Sequence, residues 1–120
     1  MWRIEVRKLL FDIAHSGGLL RQFVAGKTFE DYKGDPFLRS AVERQFEVIG
    51  EALRQALDLD VRLKDRVSGT KRIIAFRNRL IHAYASIAHE VVWGVLEVNL
   101  PILLDEVKAL LDEKEPSSDG

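Results

Sequence analysis

Along most of this chain, apolar residues recur at three- and four-residue spacing, the period of an α-helix, and no stretch gives a convincing hairpin signal. Ile4, Leu9, Leu10, Ile13, Leu19, Leu20 and Phe23 predict a first helix from about Trp2 to Val24. Gly17-Gly18 weakens it by roughly 1 kcal/mol per glycine relative to alanine, so a kink or break is expected there. Residues 26–35, with their glycines and polar groups, read as a connector. Asp35-Pro36 then opens a second helix, with aspartate as N-cap and proline in the first turn. That helix runs to about Leu57 on a stripe of Leu38, Val42, Ile49, Leu53 and Ala56. A link over 58–67 holds at most one helical turn. Ser68-Gly69-Thr70 starts a third helix, capped by Ser68 or Thr70, that ends near His82 or Ala83. The last helix runs from about Ala88 to Leu111. Pro101 lies inside it and predicts a bend, since it lacks the backbone donor and crowds the preceding turn.

Four main helices on short links predict an all-α fold, an antiparallel four-helix bundle. Residues 1–112 form a single domain, followed by a flexible polar tail over 113–120. With 120 residues the chain can bury a core without staples. It has no cysteine, which removes disulfides, thiolate metal sites and thiol catalysis. No apolar run reaches membrane-spanning length. Charges from Arg3 to Asp12 interrupt what a signal peptide would need, so a cytoplasmic protein without membrane association is expected.

The net charge of −1 argues against a general nucleic-acid binder, but its distribution is uneven. Between Arg62 and Arg79 stand Arg62, Lys64, Arg66, Lys71, Arg72, Arg77 and Arg79 against the single acid Asp65. That stretch carries +6 and the remainder −7. A basic strip on an acidic body can attract a phosphate backbone; it can equally be a solvated helix face.

The third helix also carries the residues best suited to chemistry. On an ideal helix Ile73, Arg77, Leu80 and Tyr84 share a face, which sets a guanidinium in line with apolar residues. His82 lies on another stripe with Asn78 one turn before it, where the amide can orient the imidazole. Arg77 and His82 stand about 140° apart on that ideal helix. They converge if the last turn loosens, if the arginine wraps around, or if two chains combine their sites. Such residues suit RNA cleavage. Histidine can move a proton to or from the ribose 2′-OH or the leaving oxygen, and arginine can hold the phosphate. Bland roles compete: an ion pair of Arg77 with Glu47 or Glu51, a helix-end cap for His82, and edge packing for Tyr84. Glu47 and Glu51 fit support of the motif better than catalysis. His15 and His89 read as ordinary surface or packing residues, and Trp2 and Trp93 as core or dimer-face residues.

The string Arg77-Asn78-Arg79-Leu80-Ile81-His82-Ala83-Tyr84 resembles the R-x4-H-x-Y motif of HepT toxins in the HEPN superfamily. Thr28-Phe29-Glu30-Asp31-Tyr32 is similar to that family's first connector, and the stretch from Ala41 to Ala52 to its second-helix signature. Ile87 through Trp93 and Leu100-Pro101 fit its last helix. The likeness spans about residues 2 to 112. It departs where many relatives have proline-tryptophan before the third helix, glycine at Ala75 and an acid at Ala88. The resemblance implies a HEPN-type bundle that forms a homodimer, its two motifs facing across a cleft. It implies a metal-independent endoribonuclease acting on tRNA or mRNA, with Arg77 and His82 catalytic and Asn78 supporting. It also implies an MntA-type nucleotidyltransferase antitoxin that transfers AMP to Tyr84. The partner would use ATP and magnesium, and this chain would need no cofactor. The alternative is a non-catalytic helical dimer that binds a nucleotidyltransferase or nucleotides; a purely structural bundle is the third possibility.

Overall fold

The computed structural model describes residues 2–82 and 87–113. They form an all-α bundle. Helices α1 (Ile4–Val24), α2 (Phe29–Lys33), α3 (Pro36–Leu59) and α4 (Thr70–Ile81) come first. Then α5 (His89–Gly94), a π-helical turn (Val95–Asn99) and α6 (Leu100–Asp112) follow without a break. A 3₁₀ turn, Val61–Asp65, links α3 to α4.

The core forms where the apolar stripes meet. Val6, Leu10, Ile13 and Leu20 of α1 are fully buried, as are Val42, Leu53 and Ala56 of α3 and Val107 of α6. Each large aliphatic side chain among them contributes roughly 1.5–3 kcal/mol by leaving water. Helix α3 packs chiefly on α1 and α4, and α1 also on α6. The start of α1 lies beside the ends of its neighbours: Arg3 donates to the Leu59 carbonyl at 2.9 Å and Arg7 to that of Leu111 at 3.3 Å. Those neighbours therefore run antiparallel to α1.

The second helix begins as expected. The Asp35 carboxylate accepts from the Leu38 N–H at 3.1 Å, with Pro36 behind it. Other local expectations need correction. The connector over 26–35 contains α2, stabilised by a reciprocal capping box between Thr28 and Asp31. Helix α1 does not break at its glycine pair. A β-carbon at Gly17 would stand 2.2 Å from Leu104 Cδ2, whereas one at Gly18 would meet open space. Gly17 thus marks a close approach of α6, and packing overrides its low propensity. Neither Ser68 nor Thr70 caps α4. Gly69 occupies the position at φ +66°, and Ser68 is drawn instead to Glu106 of α6, which accepts from its hydroxyl at 2.6 Å. At Pro101 the last helix relaxes through the π turn, where Leu100 N–H donates five residues back to Val95. Glu113, assigned above to the tail, caps α6 and is held by Trp2 Nε1 at 2.9 Å and by Arg66. Residues 114–120 lie outside the described residues.

Among the described residues no helix is long and apolar enough to cross a membrane. One element stands apart: α4 has no buried residue. Ile73, Ile74, Phe76 and Leu80 lean on the core, with Phe76 edge-on to Phe46 at 5.2 Å, but each stays partly exposed. The helix that carries the motif therefore rests on the bundle's surface.

Candidate functional site

The seat of Arg77 is made by a missing side chain. A β-carbon at Gly50 of α3 would lie 2.3 Å from Arg77 Cβ and 2.6 Å from its Cγ. Only glycine lets α4 approach α3 this closely. The arginine stem then crosses the helix interface, and its side chain is 23% exposed. Its head is held from two sides. One terminal nitrogen donates to Asn78 Oδ1 at 3.0 Å, and the other pairs with Glu51 Oε1 at 3.2 Å. The Nε is buried and has no hydrogen-bond partner among the described residues.

Glu51 is held in turn. Arg54 donates to it through Nε at 3.1 Å and NH2 at 2.7 Å, and Gln55 at 2.9 Å. Arg54 also reaches Asp58 at 2.9 Å. These donors, with the nearby charge of Arg77, lower the Glu51 carboxyl to about 2, so it is anionic at any physiological pH. The residues form one chain across the α3–α4 contact: Asp58, Arg54, Glu51, Arg77, Asn78.

This chain borders a groove of about 580 Å³ between α1, α3 and α4. Its charged lining is mixed: Glu5, Asp12, Glu47 and Glu51 face Lys8, Arg44 and Arg77. His82 is not among its lining residues. It follows the last residue of α4 as C-cap, with φ −94° and ψ 91°, and is exposed. The helix therefore ends one residue before the imidazole. Among the described residues no hydrogen bond joins His82 to Arg77 or to Asn78. The amide of Asn78 supports the arginine, where the helical spacing pointed to the histidine. Tyr84 lies outside the described residues.

Part of the basic strip is committed to the fold. Arg62 pairs with Asp60 at 2.5 Å and lies 4.9 Å over the Trp2 ring, and Arg66 pairs with Glu113. Lys64, Lys71, Arg72 and Arg79 remain exposed, and among the described residues no acid pairs with them. Arg72 and Arg79 line a second, apolar groove of about 260 Å³ between α3, α4 and the last helix. Trp2 is buried and Trp93 packs on Tyr32 at 5.5 Å, so both serve the core. His15 is exposed and stacked on Phe11, and His89 packs edge-on against Tyr32. Among the described residues no group of three or more His, Asp or Glu could hold a metal ion.

The periodicity led to Arg77, Asn78 and His82 but not to Gly50 or to the division of Glu51 between two arginines. The signal available was a glycine inside an otherwise strong helix, followed at once by an acid.

Comparison with known proteins gives the family. The family model of ribonuclease HepT-like proteins matches residues 13–110. A protein provisionally named an RNase from Caldanaerobacter subterraneus subsp. tengcongensis is 32% identical over 109 residues, which cover 91% of this chain and 96% of that protein. Another provisionally named an RNase, from Methanocaldococcus jannaschii, is 30% identical over 108 residues, covering 90% and 98%. A protein named as a probable ribonuclease HepT from Thermococcus cleftensis is 31% identical over 101 residues, covering 84% and 91%. No solved structure matches significantly. With most of its length matched by the family model and by these relatives, the chain belongs to the HepT-like ribonuclease family.

Proposed function

We propose that this protein is the toxin of a two-component system, an endoribonuclease that works as a homodimer and needs no metal of its own. The observation that carries the reading is the contrast at the two ends of the motif. Arg77 is fixed in the α3–α4 seam, while His82 stands exposed just past the helix. A second chain laid against α4, whose twelve residues are all at least partly exposed, brings the His82 of one protomer to the Arg77 of the other.

The chemistry then follows from the residue types. The ribose 2′-oxygen attacks the adjacent phosphorus and the bond to the 5′-oxygen breaks, leaving a 2′,3′-cyclic phosphate and a 5′-hydroxyl. The His82 imidazole takes the proton of the 2′-OH and then returns it, through water, to the departing 5′-oxygen. Arg77 binds the phosphate and offsets the charge that develops on it. Asn78 keeps the guanidinium turned toward the substrate. Lys71, Arg72 and Arg79, exposed on other faces of α4, add positive potential that attracts the RNA backbone.

The partner in this reading is a nucleotidyltransferase that transfers AMP from ATP to Tyr84. Phosphates added two residues from His82 put negative charge where the RNA phosphate must sit, and so block it. Co-expression with that enzyme should raise the intact mass in AMP steps, and Tyr84→Phe should abolish the increase.

The direct test is cleavage of tRNA by purified, unmodified protein. Wild type should cut and leave cyclic phosphate ends, while His82→Ala, equally folded, should lose at least ~100-fold in rate. A folded His82→Ala protein that cleaves like wild type would remove the proposal. A second reading is favoured by one observation, that His82 does not line the groove of Arg77 within a chain. On that reading the dimer binds a nucleotidyltransferase or nucleotides without turnover, and tRNA stays intact.

A further inference from the structure

Arg77 reaches its place only because Gly50 lets the helices touch, and the next residue, Glu51, meets its head. A carboxylate paired with a phosphate anchor would ordinarily compete with the phosphate. Here the competition is limited. Arg54 takes two hydrogen bonds to Glu51 at 2.7 and 3.1 Å and Gln55 takes a third at 2.9 Å, against a looser 3.2 Å contact with Arg77. Most of the carboxylate's accepting capacity is therefore turned toward its own helix. What remains orients Arg77 without neutralising it. Asn78 fixes the other terminal nitrogen. An arginine on a flexible stem, half in a seam, would otherwise sample many rotamers.

We infer that Glu51, braced by Arg54 and seated beside Gly50, is a positioning residue that holds the Arg77 guanidinium in the geometry required at the reacting phosphate. The inference rests on the nuclease reading above. Its mechanism is pre-orientation, so its loss falls on turnover and not on substrate attraction. Removing the charge of Glu51 should even strengthen the pull of Arg77 on an anion.

The two arginine contacts give variants with opposite signs. Glu51→Gln should lower kcat by ~10- to 100-fold while KM for a short RNA falls. The same variant should bind a 2′-deoxy, non-cleavable analogue more tightly than wild type. Arg54→Gln frees Glu51 to close on Arg77, so KM should rise, more at low salt than at high salt. Arg54 is 45% exposed, so this variant provides a folded control. A simple loss of active molecules would lower kcat in both and leave both KM values alone. Glu51→Gln with kcat within threefold of wild type, or both variants with unchanged KM, overturns the assignment and leaves the nuclease reading standing. A wild-type protein that cuts no RNA overturns the nuclease reading, and the assignment with it.

Discussion

Both terminal nitrogens of Arg77 are held by groups of its own chain, yet neither partner depends on it. Glu51 keeps Arg54 and Gln55 when the arginine is removed. Arg77→Ala should therefore cost about 1 kcal/mol or less in stability, the range of a partly exposed ion pair, while abolishing cleavage. Urea denaturation checks the first half, and a loss of several kcal/mol would mark the residue as structural. Acid should act on the same network. The Glu51 carboxyl is harder to protonate folded, at about 2, than at its ordinary 4.5, and Asp60 is likewise lowered to about 2 by its bonds to Arg62. A carboxyl lowered by folding stabilises the native state above its unfolded value, and that contribution disappears as pH falls from about 4.5 toward 2. Melting temperature should drop across that window, and less so in Glu51→Gln. Equal slopes in the two proteins would show that Glu51 contributes nothing there. Tyr32 tests the opposite case. Its hydroxyl is buried with no hydrogen-bond partner among the described residues, and burial raises its pKa. Tyr32→Phe should be neutral or stabilising by up to ~1 kcal/mol, read from the denaturation midpoint.

At the scale of the helix, the two adjacent glycines of α1 separate propensity from packing. Gly18 faces open space, so Gly18→Ala should stabilise by ~0.5–1 kcal/mol. Gly17 faces Leu104, so Gly17→Ala should destabilise by ~1–3 kcal/mol through overpacking. Matching effects at both positions would show that close approach of α6 plays no part. The pair also shows where sequence reasoning stops. Apolar spacing located the helices and Asp35-Pro36 marked the start of α3, because those signals lie within one segment. A glycine that serves a neighbouring helix looks the same, in sequence, as a glycine that merely weakens its own. Gly17 and Gly50 both needed the partner helix to be seen. The cap of α4 failed for the same reason. Ser68 has the chemistry of an N-cap, but Glu106, 38 residues away, holds its hydroxyl. At Pro101 the disturbance was legible and its form was not, because a bend and a π turn both accommodate the missing donor.

Across the whole molecule, the motif lies on the helix the bundle covers least. Arg77 belongs to a groove whose charged lining includes four acids, and His82 stands outside it at the helix end. Within one chain His82 does not line the groove of Arg77, and the proposal completes the site with a second chain. The residue types and their spacing were legible in the sequence. The helical angle of about 140° between Arg77 and His82 was legible too, but the seat of Arg77 was not, since it depends on how α3 receives α4 at Gly50. Pairing makes a specific prediction, because chains damaged at different halves can repair one another. The decisive measurement is RNA cleavage by Arg77→Ala and His82→Ala proteins, first separately and then after mixing and exchange of subunits. Each alone should be inactive. In a mixed dimer one of the two shared sites is intact, so statistical pairing should restore roughly a quarter of the wild-type rate. A mixture that stays inactive, with mixed dimers present and wild type cleaving, would contradict a site built from the arginine of one chain and the histidine of the other.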